Sequence, residues 1–164
     1  LVEVSFALTN RAGDVLWDWS GKVKPTKPVA EEAAKINGYA PEKWERAHTL
    51  AEAADQIKRI ASHGYSNIPD LVIPSGWHIW FDLGYYNEYL KTLLPFKLHH
   101  HPFDLMAYGW DLVDFHNKPH LRDLATALRI TPGVEHTAAG DVYTYLECYR
   151  ELRRRSGAVR REQA

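Results

Sequence analysis

Cysteine is almost missing from this 164-residue chain, which has one, Cys148. No internal disulfide can form, so stability has to come from packing, and a cytoplasmic compartment is expected. No stretch approaches the ~18 consecutive apolar residues of a membrane span, and no signal-peptide pattern opens the chain. The sequence therefore reads as neither membrane-spanning nor secreted. Charge of one sign is lacking too: 20 Lys and Arg face 21 Asp and Glu, giving a net charge of −1 and a pI near 6.8. Domains that coat nucleic acid by bulk electrostatics usually have a pI above ~9, so that class is excluded. An enzyme touching a few phosphates through a compact site is not. What is present is 45% apolar and 25% charged residues, ordinary globular values at a length suited to one domain with a sizeable core.

Residues 1–9 alternate, with Val2, Val4, Phe6 and Leu8 on one face and Glu3, Ser5 and Thr9 on the other, as in a half-buried strand. The turn at Asn10–Asp14 leads into Val15–Trp19, so a β-hairpin is predicted. A proline-bearing loop from Lys22 to Pro28 precedes a short helix over 29–36, stopped by Asn37-Gly38. Thr49 and Glu52 form a capping box for a helix ending at Gly64, with an apolar stripe of Leu50, Ala53, Ala54, Ile57, Ile60 and Ala61. Leu71-Val72-Ile73 is apolar on both faces, as in a strand inside a covered sheet. Helices are expected over 82–94, 103–114, 120–129 and 138–155, with a short strand over 97–101. The last helix has the stripe Val142, Tyr145, Leu146, Tyr149 and Leu152, and residues 153–164, with five arginines, read as a solvated basic tail after a 1–152 domain. This order of elements makes a mixed α/β sheet with helices packed on it.

Three features carry chemistry. In Gly76-Trp77-His78-Ile79-Trp80-Phe81-Asp82, a carboxylate follows a buried strand, where α/β sheets place ligands. A helix N-terminal carboxylate satisfying amide donors is the plainer reading. In His136-Thr137-Ala138-Ala139-Gly140-Asp141, five residues along one helix would leave the two side chains ~140° apart. They converge if His136 lies on the lead-in and Asp141 one turn inside the helix, and the small residues 138–140 then permit a close backbone approach. The third feature is His99-His100-His101. Consecutive strand residues point to alternating faces, so at most two of these imidazoles are expected to converge. With no cysteine partners, a strand edge with solvent-facing rings is favoured over zinc.

Taken together, the first two features resemble the DEDDh branch of the 3′–5′ exonucleases, the proofreading-exonuclease family with a ribonuclease-H-like fold. Gly76, Phe81 and Asp82 match its Gly-His-Asn-x-x-Phe-Asp motif, with Trp77 and His78 in place of His-Asn. His136, Ala138 and Asp141 match its His-x-Ala-x-x-Asp motif. Val23-Lys24-Pro25, Ala33–Gly38 and Phe103–Ala107 resemble the family's intervening segments, so the resemblance covers essentially the whole chain.

The resemblance implies a ribonuclease-H-like mixed sheet, an opening antiparallel hairpin followed by parallel strands, with flanking helices. It implies two Mg²⁺ or Mn²⁺ ions held by Asp82 and Asp141, and His136 as the general base. Phe81 would stack on the terminal base, with Trp77, His78 and Trp80 as further contacts. The substrate would be the 3′ end of single-stranded nucleic acid, DNA ahead of RNA, released as 5′-mononucleotides. A polymerase or replication complex is the implied partner, and no membrane. The family's Asp-x-Glu, on the first central strand, has no counterpart here. The expectation is that the natural protein carries it before Leu1. A catalytically inert nucleic-acid-binding or scaffold module on the same fold is the alternative, and a zinc-binding structural domain using the histidines is a third reading.

Overall fold

The computed structural model describes residues 2–64, 71–94, 96–113, 119–134 and 136–162. Strands β1 (Glu3–Thr9) and β2 (Val15–Lys22) form the expected antiparallel hairpin, with Phe6 opposite Trp19 and Leu8 opposite Trp17. Its turn closes on Asn10, whose Oδ1 accepts from the amides of Ala12 (2.8 Å) and Asp14 (3.0 Å). Gly13 takes φ 92°, a left-handed value open to glycine.

Val4 is buried, and Phe6 and Leu8 pack with Trp17 and Trp19 against Ala53, Ala54, Ile57 and Ala61 of helix α2 (Leu50–Gly64). That is the predicted helix, opened by the predicted capping box: Thr49 donates its amide to Glu52 (2.7 Å), and Glu52 donates its own to Thr49 Oγ1 (3.2 Å). Ile60, placed in the stripe, lies at its margin and is exposed. The short helix α1 (Glu31–Asn37) ends at Gly38, as its sequence predicts.

The second face of β1 is also covered, against the expectation of a half-buried strand. Ala7 packs into a second core, built from Leu105, from Leu124, Ala125 and Leu128 of α5 (Leu121–Leu128), and from Tyr145, Leu146, Cys148 and Leu152 of α6 (Ala138–Glu162). The predicted α6 stripe faces this core. Arg150 Nε and Tyr149 Oη donate to the carbonyls of Gly13 and Arg11 (both 2.9 Å), docking the hairpin tip on α6. The helix continues as far as Glu162, and Glu151 pairs with Arg154 and Arg155 in the basic segment.

Between these cores run four very short strands. β3 (Leu71–Val72) pairs in parallel with β5 (Lys97–Leu98), and β4 (Ser75–Gly76) in parallel with β6 (Phe103–Asp104). The molecule is therefore mixed α/β, with one antiparallel and two parallel two-stranded sheets, and no pairing joins them among the described residues. Several sequence expectations shift here. Leu71 and Ile73 are 50% and 60% exposed, not enclosed, and among the described residues β3 pairs with β5 alone. Phe103 and Asp104 open as a strand, since their amide and carbonyl groups meet β4, and helix α4 (Leu105–Tyr108) follows. Helix α3 (Ile79–Tyr85) starts three residues before Asp82 and passes into a π-helical turn, Tyr86–Leu90. Pro95 and Asp114, expected at helix ends, lie outside the described residues.

The expected 97–101 strand stops at Leu98. His99–His101 bend instead of alternating, so all three rings gather on one side, with ligating nitrogens within 4.8 Å of one another. Among the described residues, no helix is long and apolar enough to cross a membrane.

A candidate acidic active site

Asp82 and Asp141 are 59 positions apart, and each sits in the first turn of its helix, α3 and α6. The two lead-ins are built alike. His78 precedes α3 with φ 56°, and His136 stands two residues before α6 with φ 56°. A left-handed backbone at a residue with a Cβ costs on the order of 1–3 kcal/mol and persists where the surroundings fix it.

Those surroundings are visible. Asp104 Oδ1, at the end of β6, accepts from the His78 amide (3.0 Å) and the Met106 amide (3.0 Å). Glu3 Oε2, on the α6-facing side of β1, accepts from the Ala138 amide (3.1 Å). One carboxylate from elsewhere in the chain thus holds the start of each aspartate-bearing helix. Alternation along β1 decides this for Glu3: residues 3 and 7 share the face that α6 covers.

The α6 lead-in is stitched further. Thr137 Oγ1 accepts from the Gly140 amide (3.0 Å), as an N-cap does, and donates to the Val134 carbonyl (3.0 Å). The Gly133 amide donates to Thr144 Oγ1 (2.9 Å), and Arg122 Nη2 donates to the Gly133 carbonyl (2.8 Å). Gly140 is required: a Cβ there would stand 2.0 Å from the Val134 carbonyl oxygen. The small residues of this motif admit the protein's own backbone.

Electrostatics ties the two halves together. As whole residues Asp82 and Asp141 are exposed, but their carboxyl groups are crowded, and a Cβ on Gly76 would lie 3.7 Å from Asp82 Oδ2. Withdrawal from water raises the Asp82 pKa; its own backbone amide and His78 oppose the rise, and the negative charges of Asp141 and Asp104 add to it. Burial also raises Asp141, with Arg122 and His136 pulling it down and Glu3 pushing it up. Each aspartate is accordingly flanked by one histidine and one further carboxylate, and each feels charges drawn from distant parts of the chain.

The aromatic neighbours divide. Phe81 and Trp80 are 64% and 62% exposed. Phe81 meets Tyr85 edge-on (5.0 Å), and Tyr85 stacks on Tyr89 (6.1 Å), so a row of rings runs along α3 beside Asp82. An open groove of about 330 Å³ follows this row, lined by Lys27, Phe81, Gly84, Tyr85, Glu88 and Tyr89. His78 is exposed, whereas Trp77 is half-buried and packs against the second core. Sequence reasoning missed Glu3, Asp104 and Arg122. The signal for Glu3 was its place on the strand face opposite Val4 and Phe6, which reads as solvent-facing until α6 is seen to cover it. Comparison with protein-family models gives no match, and comparison with curated proteins gives none.

Proposed function

We propose that this chain is the body of a metal-dependent 3′–5′ exonuclease of ribonuclease-H-like fold, hydrolysing the terminal phosphodiester of single-stranded nucleic acid to 5′-mononucleotides. The observation that carries the proposal is that the charge of Asp141, from the second motif, acts on the carboxyl of Asp82, from the first, and that His136 acts in turn on Asp141. Two carboxylates withdrawn from water, one of them under the negative charge of the other, are a fitting donor set for a hard divalent cation, Mg²⁺ or Mn²⁺. Bound there, such ions supply Lewis acidity for the scissile phosphate and for the attacking water.

The chain's own residues do the rest. His136, exposed and held in its left-handed turn, takes the proton from the attacking water and passes it to solvent. Phe81 offers its face to the terminal base, and Tyr85 and Tyr89 extend that surface for the next bases, since stacking needs no particular base. Exposed His78 is a second substrate contact, while half-buried Trp77 bounds the site from the core side. On this reading the remaining acidic ligands are those of the family's Asp-x-Glu strand, a motif that residues 1–164 do not contain. Residues 1–164 alone are then expected to be nearly inactive. DNA is the proposed substrate ahead of RNA, and a polymerase or replication complex the proposed partner.

A 5′-labelled single-stranded oligonucleotide tests this. The form carrying the upstream strand should shorten it from the 3′ end with Mg²⁺ or Mn²⁺, stop in EDTA, and lose turnover but not binding in Asp141→Asn. Binding without shortening in that form would favour the inert module. Robust hydrolysis by residues 1–164 alone would show that other carboxylates do the work.

A further inference from the structure

The turn from His99 to Pro102 joins two parallel ladders and is fastened at both ends. The His99 amide donates to the Val72 carbonyl (2.8 Å), the last rung of the β3–β5 pair, and the Phe103 amide donates to the Pro74 carbonyl (2.8 Å), the first of β4–β6. Inside the turn the His101 amide donates to His99 Nδ1 (3.0 Å). The three imidazoles lie against one another, with ring centroids 4.5, 5.4 and 4.0 Å apart for the pairs 99–100, 99–101 and 100–101. His99 is half-buried and His100 and His101 are exposed, so one ring is fixed and two can swing.

We infer that His99, His100 and His101 form a binding site for a nitrogen-preferring first-row divalent cation, Zn²⁺ in the first instance, with three imidazole ligands and a fourth position left to water. Zn–N bonds of ~2.0–2.1 Å in a tetrahedron put neighbouring nitrogens ~3.4 Å apart. The present nitrogens are within 4.8 Å, so closing the cage takes at most about 1.4 Å of movement, which two exposed side chains supply by rotation. A ligating histidine ordinarily donates its other ring N–H to a fixed acceptor. His99 has one in place: with a metal on Nε2 its Nδ1 carries the proton, and the His101 carbonyl oxygen stands 3.4 Å away. The change takes the other tautomer of His99, with Nδ1–H turned to that carbonyl in place of the bond Nδ1 now accepts from the His101 amide.

This site differs in chemistry from the aspartate pair. Imidazole nitrogen suits Zn²⁺, Ni²⁺ and Cu²⁺, whereas carboxylate oxygen suits Mg²⁺ and Mn²⁺. The test titrates tag-free, chelator-stripped protein with Zn²⁺ by calorimetry and with Co²⁺ by visible absorption, in the wild type and in an Asp82→Asn/Asp141→Asn background. The expected result is one ion per chain in both, with His100→Gln or His101→Gln weakening it about tenfold or more and His99→Gln at least as much. Circular dichroism checks that each variant is folded. Absence of saturable 1:1 binding overturns the inference, and so does 1:1 binding that survives replacement of all three histidines.

Discussion

The aspartate pair and the histidine turn are both candidate sets of metal-ligating side chains, yet they are assembled in opposite ways. Asp82, Asp141, Glu3, Asp104, His78 and His136 come from residues spread between positions 3 and 141. The histidines are consecutive and need one bend anchored to Val72 and Pro74. The first site is therefore a property of the whole fold, and the second of a local turn. Perturbing packing should separate them.

Removing a ligand should have the largest effect. On the proposed function, and in a form that includes the Asp-x-Glu strand, Asp141→Asn should abolish hydrolysis, and His136→Ala should lower kcat by ~10²–10⁴, the usual share of a general base. Zinc titration of the turn should be unchanged by either. The next largest effect is on stability. Leu124→Ala, at a fully buried position between α5 and α6, should cost ~2–5 kcal/mol in urea unfolding and depress activity with it, while the zinc affinity of the native state holds. A zinc affinity that fell in step with activity would show that the two regions are coupled after all.

Glu3 offers a finer cut. Glu3→Ala removes the acceptor of the Ala138 amide and should cost ~1–3 kcal/mol, with Glu3→Gln recovering part of it. Hydrolysis should fall more than stability alone explains, because Asp141 and His136 lose their alignment together. A smaller effect, of opposite sign, is expected from charge removal. Burial raises both aspartates, so in the window above their ordinary pKa the folded chain holds more protons than the unfolded one. Stability then falls as pH rises through that window, and the cost is fully present above it. Metal-free Asp82→Asn or Asp141→Asn should consequently melt higher than the wild type at neutral pH, roughly 2–4 °C for each kcal/mol gained, and the difference should shrink as pH is lowered through the window. Mn²⁺ should raise the wild-type melting temperature and leave that of the double Asn variant unmoved. Smallest of all is the behaviour of Cys148, fully buried in the second core, its thiol pushed up to about 12. It should resist a thiol reagent under native conditions and react only as fast as the α6 side of the molecule opens.

Local signals survived from sequence to structure wherever the reason was local. The Thr49–Glu52 box, the Gly38 stop and the α6 stripe are fixed by hydrogen bonds or periodicity within a few residues. The placement of Asp82 and Asp141 near helix starts was legible for the same reason, since each stands in the first turn of its helix. What failed depended on distant neighbours. The Leu71–Ile73 run looks enclosed, yet enclosure requires distant elements packed over both faces of the strand, and Leu71 and Ile73 are exposed. The histidines were read by strand alternation, which stopped applying one residue before His99. Glu3 and Asp104 look like ordinary surface acids until the segments they hold, 135 and 26 positions away, are folded against them.

The hydrogen bond between Glu3 and Ala138 has a consequence for how the protein is made. Contacts of high sequence separation form late, because the intervening loop must close first. While the chain is being synthesised, Glu3 emerges long before its partner exists, and the hairpin can fold on α2 with nothing yet opposite its second face. The acidic cluster assembles only once α6 has been released and docked. A nascent chain would thus pass through synthesis without the arrangement around Asp82 and Asp141 and would acquire it in one late step.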